Sequence, residues 1–429
     1  MGIRLAVVGA GSTYCPELIQ GLIKRRDILP VEELRLTDID ESRLNIVGDF
    51  CERVLQENGL EPRILRSVDL ARALEGADYV VTQIRAGKLE ARIRDEKIPL
   101  PFGMIGQETT GIGGFANALR TIPQMEKIAE TVSKYAPEAW LINFSNPSGI
   151  VTEFLLNYTP VKAIGLCNLP IGTQERISKL LGVPMESVRL ETVSLNHCGA
   201  VTAVYVGGED VLPGLLAPES LDKAEALDPW VKIYRPIIEL LGAIPNDYLQ
   251  YFFYRDRKVQ ELLKAEQTRG EACQEIEARL LSYYADTRSN AVPAMLAERG
   301  GHLYSEAAIA LIASLSGAEP GHHVIDVQNK GVLDFLNGAS VIETSCFVAR
   351  DRIERNPITV KPNPVLASLV SSVKAYETLA VQAALSGDRK TALRALACNP
   401  ITADLDKAAP CMEEMLQQNR PLLPRFFPV

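Results

Sequence analysis

The chain has 429 residues, 47% of them hydrophobic, and a formal net charge of −9. That length can bury two cores, an acidic chain without a basic block is a poor nucleic-acid binder, and no apolar run reaches the ~18 residues of a membrane span. Eight cysteines without regular spacing read as reduced thiols of a cytoplasmic protein, and Met1-Gly2 opens neither a cleavable signal nor a myristoylation site.

Residues 3–8 form an apolar run broken only by Arg4, the pattern of a strand buried on both faces of a parallel sheet. It leads into Gly9-Ala10-Gly11-Ser12-Thr13. Pro16 and Glu17 then open a stretch with Leu18, Ile19, Leu22 and Ile23 at helical spacing. Strand, glycine turn and helix make a Gly-x-Gly pair a dinucleotide site, Gly9 allowing the turn and Gly11 the close approach of a pyrophosphate. Tyr14 stands where a third glycine would fall. A second strand over 33–38 ends at Asp38, whose carboxylate suits ribose hydroxyls and repels a 2′-phosphate, selecting NAD over NADP. Its other reading is a cap for the next helix. Asp38 follows Gly11 by 27 positions, against roughly 20 in the usual fingerprint, and a longer first helix is expected to absorb the difference.

Further strands are expected at 63–67, 78–84, 140–145 and 161–167, separated by helices such as 42–57 and 122–135. This alternation predicts an α/β fold with a Rossmann-type doubly wound parallel sheet. Ligands lie at the C-terminal ends of such strands, which gathers Gly9, Asp38, Arg85, Asn143, Asn146 and Cys167 around one crevice. After Gly182 the pattern changes to alternating strands over 189–206, helices over 212–296, 300–316 and 366–385. We expect an NAD-binding domain over 1–182 and an α+β substrate and metal domain over 183–429, packed over the crevice.

Two segments carry the chemistry. Cys167 lies in Gly165-Leu166-Cys167-Asn168-Leu169-Pro170 and His197 in Leu195-Asn196-His197-Cys198-Gly199. Thiolate and imidazole suit a divalent transition metal, and two protein ligands leave positions open for a substrate. Such a site beside a nicotinamide predicts redox chemistry at a hydroxyl carbon. Cys198 is the alternative to Cys167, and a buried, backbone-satisfied histidine is the bland reading of His197.

These segments, with Gly9-Ala10-Gly11-Ser12-Thr13-Tyr14, Glu90-Ala91-Arg92 before Asp95-Glu96, Gly106-Gln107-Glu108-Thr109, Asn143-Phe144-Ser145-Asn146-Pro147 and Arg299-Gly300-Gly301 before Tyr304-Ser305-Glu306, resemble glycoside hydrolase family 4 in order along most of the chain. Cys167-Asn168-Leu169-Pro170 is similar to its 6-phospho-β-glucosidase branch, the α-specific branch carrying aspartate at the Asn168 position. Leu169 replaces an expected valine and Lys88 an expected glycine. The resemblance implies a lactate/malate dehydrogenase-like fold, NAD, a divalent metal (Mn2+) and an exception to two-carboxylate glycosidase chemistry. C3 of the sugar is oxidised, C2 deprotonated, the aglycone eliminated, water added and the ketone re-reduced, without net redox.

The resemblance further implies a tyrosinate base, Tyr248, with Tyr251 as the alternative on the same helical face. Arg92 is the expected guanidinium for the phosphate, and Glu108, Asn146, Asn168 and Arg299 complete the substrate set. Cofactor contacts are expected at Gly9, Gly11, Ser12, Thr13, Asp38 and Arg43, and metal contacts at Cys167 and His197. The partner is a phosphorylated β-glucoside or disaccharide, with no nucleic acid or membrane, and the assembly a homo-oligomer, dimer or tetramer. Two rivals stay open. A lactate/malate-type 2-hydroxy acid dehydrogenase would leave Cys167 idle, and a non-catalytic dinucleotide sensor would have no use for a Cys-His pair.

Overall fold

The computed structural model describes residues 2–300 and 303–428, so Gly301 of the last motif lies outside the described residues. Among these, thirteen strands make one sheet: β1 (Ile3–Val8), β2 (Val31–Thr37), β3 (Arg63–Ser67), β4 (Tyr79–Thr82), β5 (Trp140–Asn143), β6 (Lys162–Gly165), β7 (Val188–Leu195), β8 (Cys198–Val206), β9 (Glu209–Asp210), β10 (Ile244–Pro245), β11 (Gly321–Gln328), β12 (Val341–Ala349) and β13 (Arg352–Arg355). The first six run parallel in the order β6-β5-β4-β1-β2-β3, the doubly wound Rossmann arrangement.

Alternation explains why these strands sit in the middle of the molecule. Ala6, Val8, Val80, Leu141 and Ala163 point into one apolar core, and Leu5, Val7, Val81, Ile142 and Ile164 into the other. The first core is covered by helices including Gly111–Tyr135, Ser148–Tyr158 and Pro364–Ser386, the second by Cys15–Lys24, Glu41–Glu57, Arg269–Ala285 and Tyr304–Ser316. Beyond β6 the same sheet continues antiparallel through β11, β12, β7 and β8. Both cores therefore hold side chains from either side of Gly182.

The first helix corrects one expectation. Cys15–Lys24 has only ten residues, with Pro16 in its first turn, and the spacing from Gly11 to Asp38 is filled by the turn at 25–30 and the seven-residue β2. Among the described residues no helix is long and apolar enough to cross a membrane.

Helix Gly111–Tyr135 sets the geometry of the loop before it. A Cβ on Gly113 would lie 2.3 Å from the Gln107 carbonyl oxygen, and one on Gly114 would lie 2.4 Å from that of Thr109. Only glycines let the helix and the 106–110 loop meet backbone to backbone. Nearly two turns further, Arg120 reaches both Asp95 oxygens, at 2.9 and 2.5 Å, and the Asn419 side chain at 3.1 Å. Arg120 and Asp95 are each 1% exposed, so this pair ties down helix Lys88–Lys97, which carries Arg92. Removing one partner of a buried pair strands the other charge, at roughly 3–5 kcal/mol. Arg120→Leu should lower the urea unfolding free energy by that order, and a loss below about 1 kcal/mol would show that Asp95 is compensated without it.

Candidate functional site

A cavity of about 420 Å³ opens where the C-terminal ends of β5 and β6 meet the β7–β8 turn. Arg92, Glu108, Asn146, Cys167, Asn168, His197, Tyr248 and Arg299, every substrate, metal and base residue expected from the sequence, line it.

Cys167 lies two residues beyond β6, and its thiol accepts the Leu169 N–H at 3.5 Å at the start of helix Leu169–Leu181. His197 is in the two-residue turn joining β7 to β8, where Leu195 pairs with Cys198. Its φ of +64° is in the left-handed region, a conformation that costs a non-glycine residue on the order of 1–3 kcal/mol. The imidazole Nε2 stands 3.3 Å from Cys167 Sγ. An ion bonded at about 2.3 Å to sulfur and about 2.1 Å to nitrogen, with a near-right angle between them, spans a gap of ~3.1–3.4 Å. Burial keeps His197 neutral, lowered to about 4, with the lone pairs a metal requires. Burial and the neighbouring carboxylates Glu343 and Asp326 push the Cys167 thiol up, so it ionises only opposite a cation. Among the described residues no third Cys, His, Asp or Glu joins them. The donor set fits a divalent transition metal with open positions. Cys198 points instead into the apolar core of the Gly111–Tyr135 face, which excludes it from the pair.

Tyr248 stacks on His197, ring centroids 4.2 Å apart and planes 14° from parallel. The two-residue β10 brings it there: Ile244 and Pro245 pair with Val201 and Ala200, and the Asn246 N–H donates to the Gly199 carbonyl at 2.9 Å. The expected shared helical face does not form, because Tyr248 is the residue before helix Leu249–Phe253. Tyr251 nonetheless lines the same cavity, its centroid 5.8 Å from that of Tyr248. Burial raises both phenols, Tyr251 to about 12, and a hydrogen bond with Thr109 opposes the rise at Tyr248.

The cationic wall is organised by carboxylates. Arg92 donates to Glu96 at 2.8 Å and pairs with Glu108 at 3.0 Å, and Glu108 also pairs with Arg85. Arg299 differs. Its Nη2 meets Glu277 at 2.8 Å and its guanidinium lies 4.6 Å over the Tyr14 ring, but Nε and Nη1 are buried with no acceptor among the described residues. Two of its donors are thus left over beside the cavity, with the chemistry to bond an anion. Sequence reasoning gave the leading phosphate role to Arg92, whose charge the structure largely spends on two carboxylates.

The dinucleotide turn lies beside this cavity, not in it. None of Gly9, Gly11, Ser12, Thr13, Asp38 and Arg43 lines it, and Tyr14 is the link. Asp38 accepts the Gly11 N–H at 2.9 Å and the Asp40 N–H at 3.0 Å, while Asp40 caps helix Glu41–Glu57 through the Arg43 N–H. The capping role thus belongs to Asp40. Arg43 donates to the Gly11 carbonyl at 3.1 Å and pairs with Glu277, which also holds Arg299. Ser12 accepts the Tyr14 N–H, and Thr13 is fully buried. Asn143 does not face the crevice: it is wholly buried and bonds Thr82, Ser145 and Thr152. The sequence marked Tyr14 only as a missing glycine, yet its hydroxyl bonds the Arg299 carbonyl at 3.1 Å. Nothing in the sequence marked Cys273, which also lines the cavity.

Burial alone would raise the Glu108 carboxyl, but Arg85 and Arg92 hold it down at about 2, against 4.5 in the open chain. Its ionised form stabilises the fold fully above pH 4.5 and loses that contribution as pH falls toward 2, on the order of 3 kcal/mol in all. The unfolding free energy should therefore fall more steeply below pH 4.5 in the native protein than in Glu108→Gln. Parallel curves would contradict the pairing.

Residues 4–183 match the model of the family 4 glycosyl hydrolases and residues 193–402 that of the family's C-terminal domain. A 6-phospho-beta-glucosidase of Thermotoga maritima is 35% identical over 97% of this chain and 99% of its own. A crystal structure of the Thermotoga maritima 6-phospho-beta glucosidase with manganese, NAD+ and glucose-6-phosphate superposes with a TM-score of 0.88 at 34% identity, covering 98% of this chain and 99% of that one. Malate dehydrogenase of Plasmodium falciparum, at 14% identity over 89% of this chain and 98% of its own, shares the fold with a TM-score of 0.50.

Proposed function

The chain belongs to the family 4 glycosyl hydrolases, and from that premise we propose that it hydrolyses 6-phospho-β-glucosides with NAD and a divalent metal, Mn2+. The observation that carries this reading is the 3.3 Å contact of Cys167 with His197 beneath Tyr248, in one cavity with the unused donors of Arg299. When bound, NAD takes hydride from C3 of the sugar and later returns it, while the metal draws electron density from the sugar oxygens and favours ionisation of groups near it.

The chain's own residues do the rest. Cys167 and His197 hold the metal, and Tyr248, stacked on His197, removes the C2 proton that the adjacent C3 ketone has made acidic. Its position against the metal pair favours it over Tyr251. Arg299 takes the 6-phosphate with support from Arg92, while Glu108 fixes the arginine wall, and Asn146 and Asn168 orient the sugar. Gly9, Gly11, Ser12, Thr13, Asp38 and Arg43 hold the dinucleotide. Residues 1–182 supply the cofactor contacts together with Arg92, Glu108, Asn146, Cys167 and Asn168, and residues 183–429 add His197, Tyr248 and Arg299. The free state of all eight cysteines suits a cytoplasmic enzyme, and we expect a homo-oligomer without nucleic-acid or membrane partners.

Elimination through C2 separates this chemistry from direct displacement by two carboxylates. Hydrolysis of a nitrophenyl 6-phospho-β-glucoside in heavy water, with NAD and manganese present, should place deuterium at C2 of the released sugar. Product without that label would overturn the mechanism. The 6-phospho-α-anomer and the unphosphorylated glucoside should be poor substrates in the same assay.

Arg299→Ala should raise KM for the phosphorylated substrate at least about tenfold, since each hydrogen bond to a charged group contributes roughly 1.5–3 kcal/mol. Lysine at that position should restore only part of the loss, because a point charge lacks the planar fork. Equal losses on the unphosphorylated glucoside would assign Arg299 to the fold rather than to the phosphate.

A further inference from the structure

One row of residues crosses the sheet beneath the Cys-His pair. Gly165 on β6 faces Asp326 on β11, Asp326 faces Glu343 on β12, Glu343 faces Ser194 on β7, and Ser194 faces Gly199 on β8. Cys167 lies two residues beyond one part of this row, and His197 lies in the turn joining its last two members. Glu343 is 3% exposed, and its carboxyl accepts the Ser194 hydroxyl at 3.2 Å and the Asn196 amide at 3.1 Å. The Asn196 side chain also lies near enough to the Cys167 thiol to favour its ionised form. Asn196 is thus joined covalently to one expected metal ligand and lies beside the other.

The surroundings leave Asn196 little freedom. A Cβ on Gly199 would lie 2.4 Å from Ser194 Cα, so the turn closes tightly, and a Cβ on Gly149 would lie 3.2 Å from Asn196 Cβ. Helix Ser148–Tyr158 therefore packs closely against Asn196. The left-handed backbone of His197 needs an external restraint to persist. The Glu343–Asn196 bond supplies one where the strain is held.

The geometry points to Asn196 and Glu343 as positioning residues for the metal: Glu343 fixes the Asn196 amide, which orients the Cys167 thiolate and holds the His197 turn in its binding conformation. Groups that orient metal ligands are themselves worth about 10–100-fold in metal affinity. The inference rests on Cys167 and His197 being the ligands, and deepens that reading by naming what aims them.

Three variants, Asn196→Ala, Glu343→Ala and Glu343→Gln, test it beside Cys167→Ser, with Mn2+ binding followed by the electron paramagnetic resonance of free ion. Co2+ substitution adds a second readout, the sulfur-to-metal charge-transfer absorption, and calorimetric NAD binding reports the integrity of the fold. Asn196→Ala and Glu343→Ala should weaken Mn2+ binding about 10–100-fold and shift the Co2+ absorption. Glu343→Gln keeps an acceptor for the Asn196 amide and should stay close to the native protein, and NAD binding should be unchanged throughout. Native Mn2+ affinity and absorption in both alanine variants would overturn the inference while the ligand assignment stood. Joint loss of metal and NAD binding in all three variants would also overturn it, by making the row a fold element. If Cys167→Ser keeps native affinity and absorption, the ligand assignment fails and the inference with it.

Discussion

Everything in the site depends on one contact, the approach of Cys167 to His197 within 3.3 Å. The two residues follow β6 and β7, which are consecutive in the chain but separated in the sheet by β11 and β12. Strands spaced ~4.8 Å apart would put β6 and β7 about 14 Å from each other. The loops after them must lean together across that gap. The single-bridge junctions, Gly165 with Asp326 and Glu343 with Ser194, show how little the inserted strands hold their outer neighbours. Gly165 leaves room for the Asp326 carboxylate and Gly199 for the Ser194 side chain, so both glycines keep the row closely packed.

The second constraint is charge. Buried ions persist only when paired, and in this fold the pairing alternates: Glu108 between Arg85 and Arg92, Glu277 between Arg43 and Arg299, Lys374 between Glu153 and Glu377. Once these pairs are made, Arg299 still has two donors without acceptors among the described residues. The proposed selectivity for a phosphorylated ligand is supported by what pairing leaves over, rather than by the number of arginines in the wall.

Cofactor turn and substrate cavity are coupled by short links. Tyr14 leaves the glycine turn to pack under Arg299, and Glu277 joins Arg43 at the turn to Arg299 in the cavity. A reaction that borrows a hydride and returns it needs the dinucleotide to stay in place throughout. A site in which the same glutamate braces both halves is suited to that requirement.

The sequence by itself determined the parallel half of the sheet, because β1, β4, β5 and β6 are largely buried and read as apolar runs, and because glycine, proline and aspartate mark turns chemically. It also singled out residues that the fold gathers around one cavity, since thiol, imidazole and guanidinium have few substitutes. It could not show that β11 and β12 enter between β6 and β7, because register between distant strands leaves no local trace. Nor could it show β10, two residues long, which carries Tyr248 onto His197. Asn143, Arg92 and Arg299 carry the same lesson. Whether an asparagine faces a crevice or bonds inside the sheet, and which arginine keeps donors to spare, depends on neighbours far away in the chain, and only the packed structure brings those neighbours together.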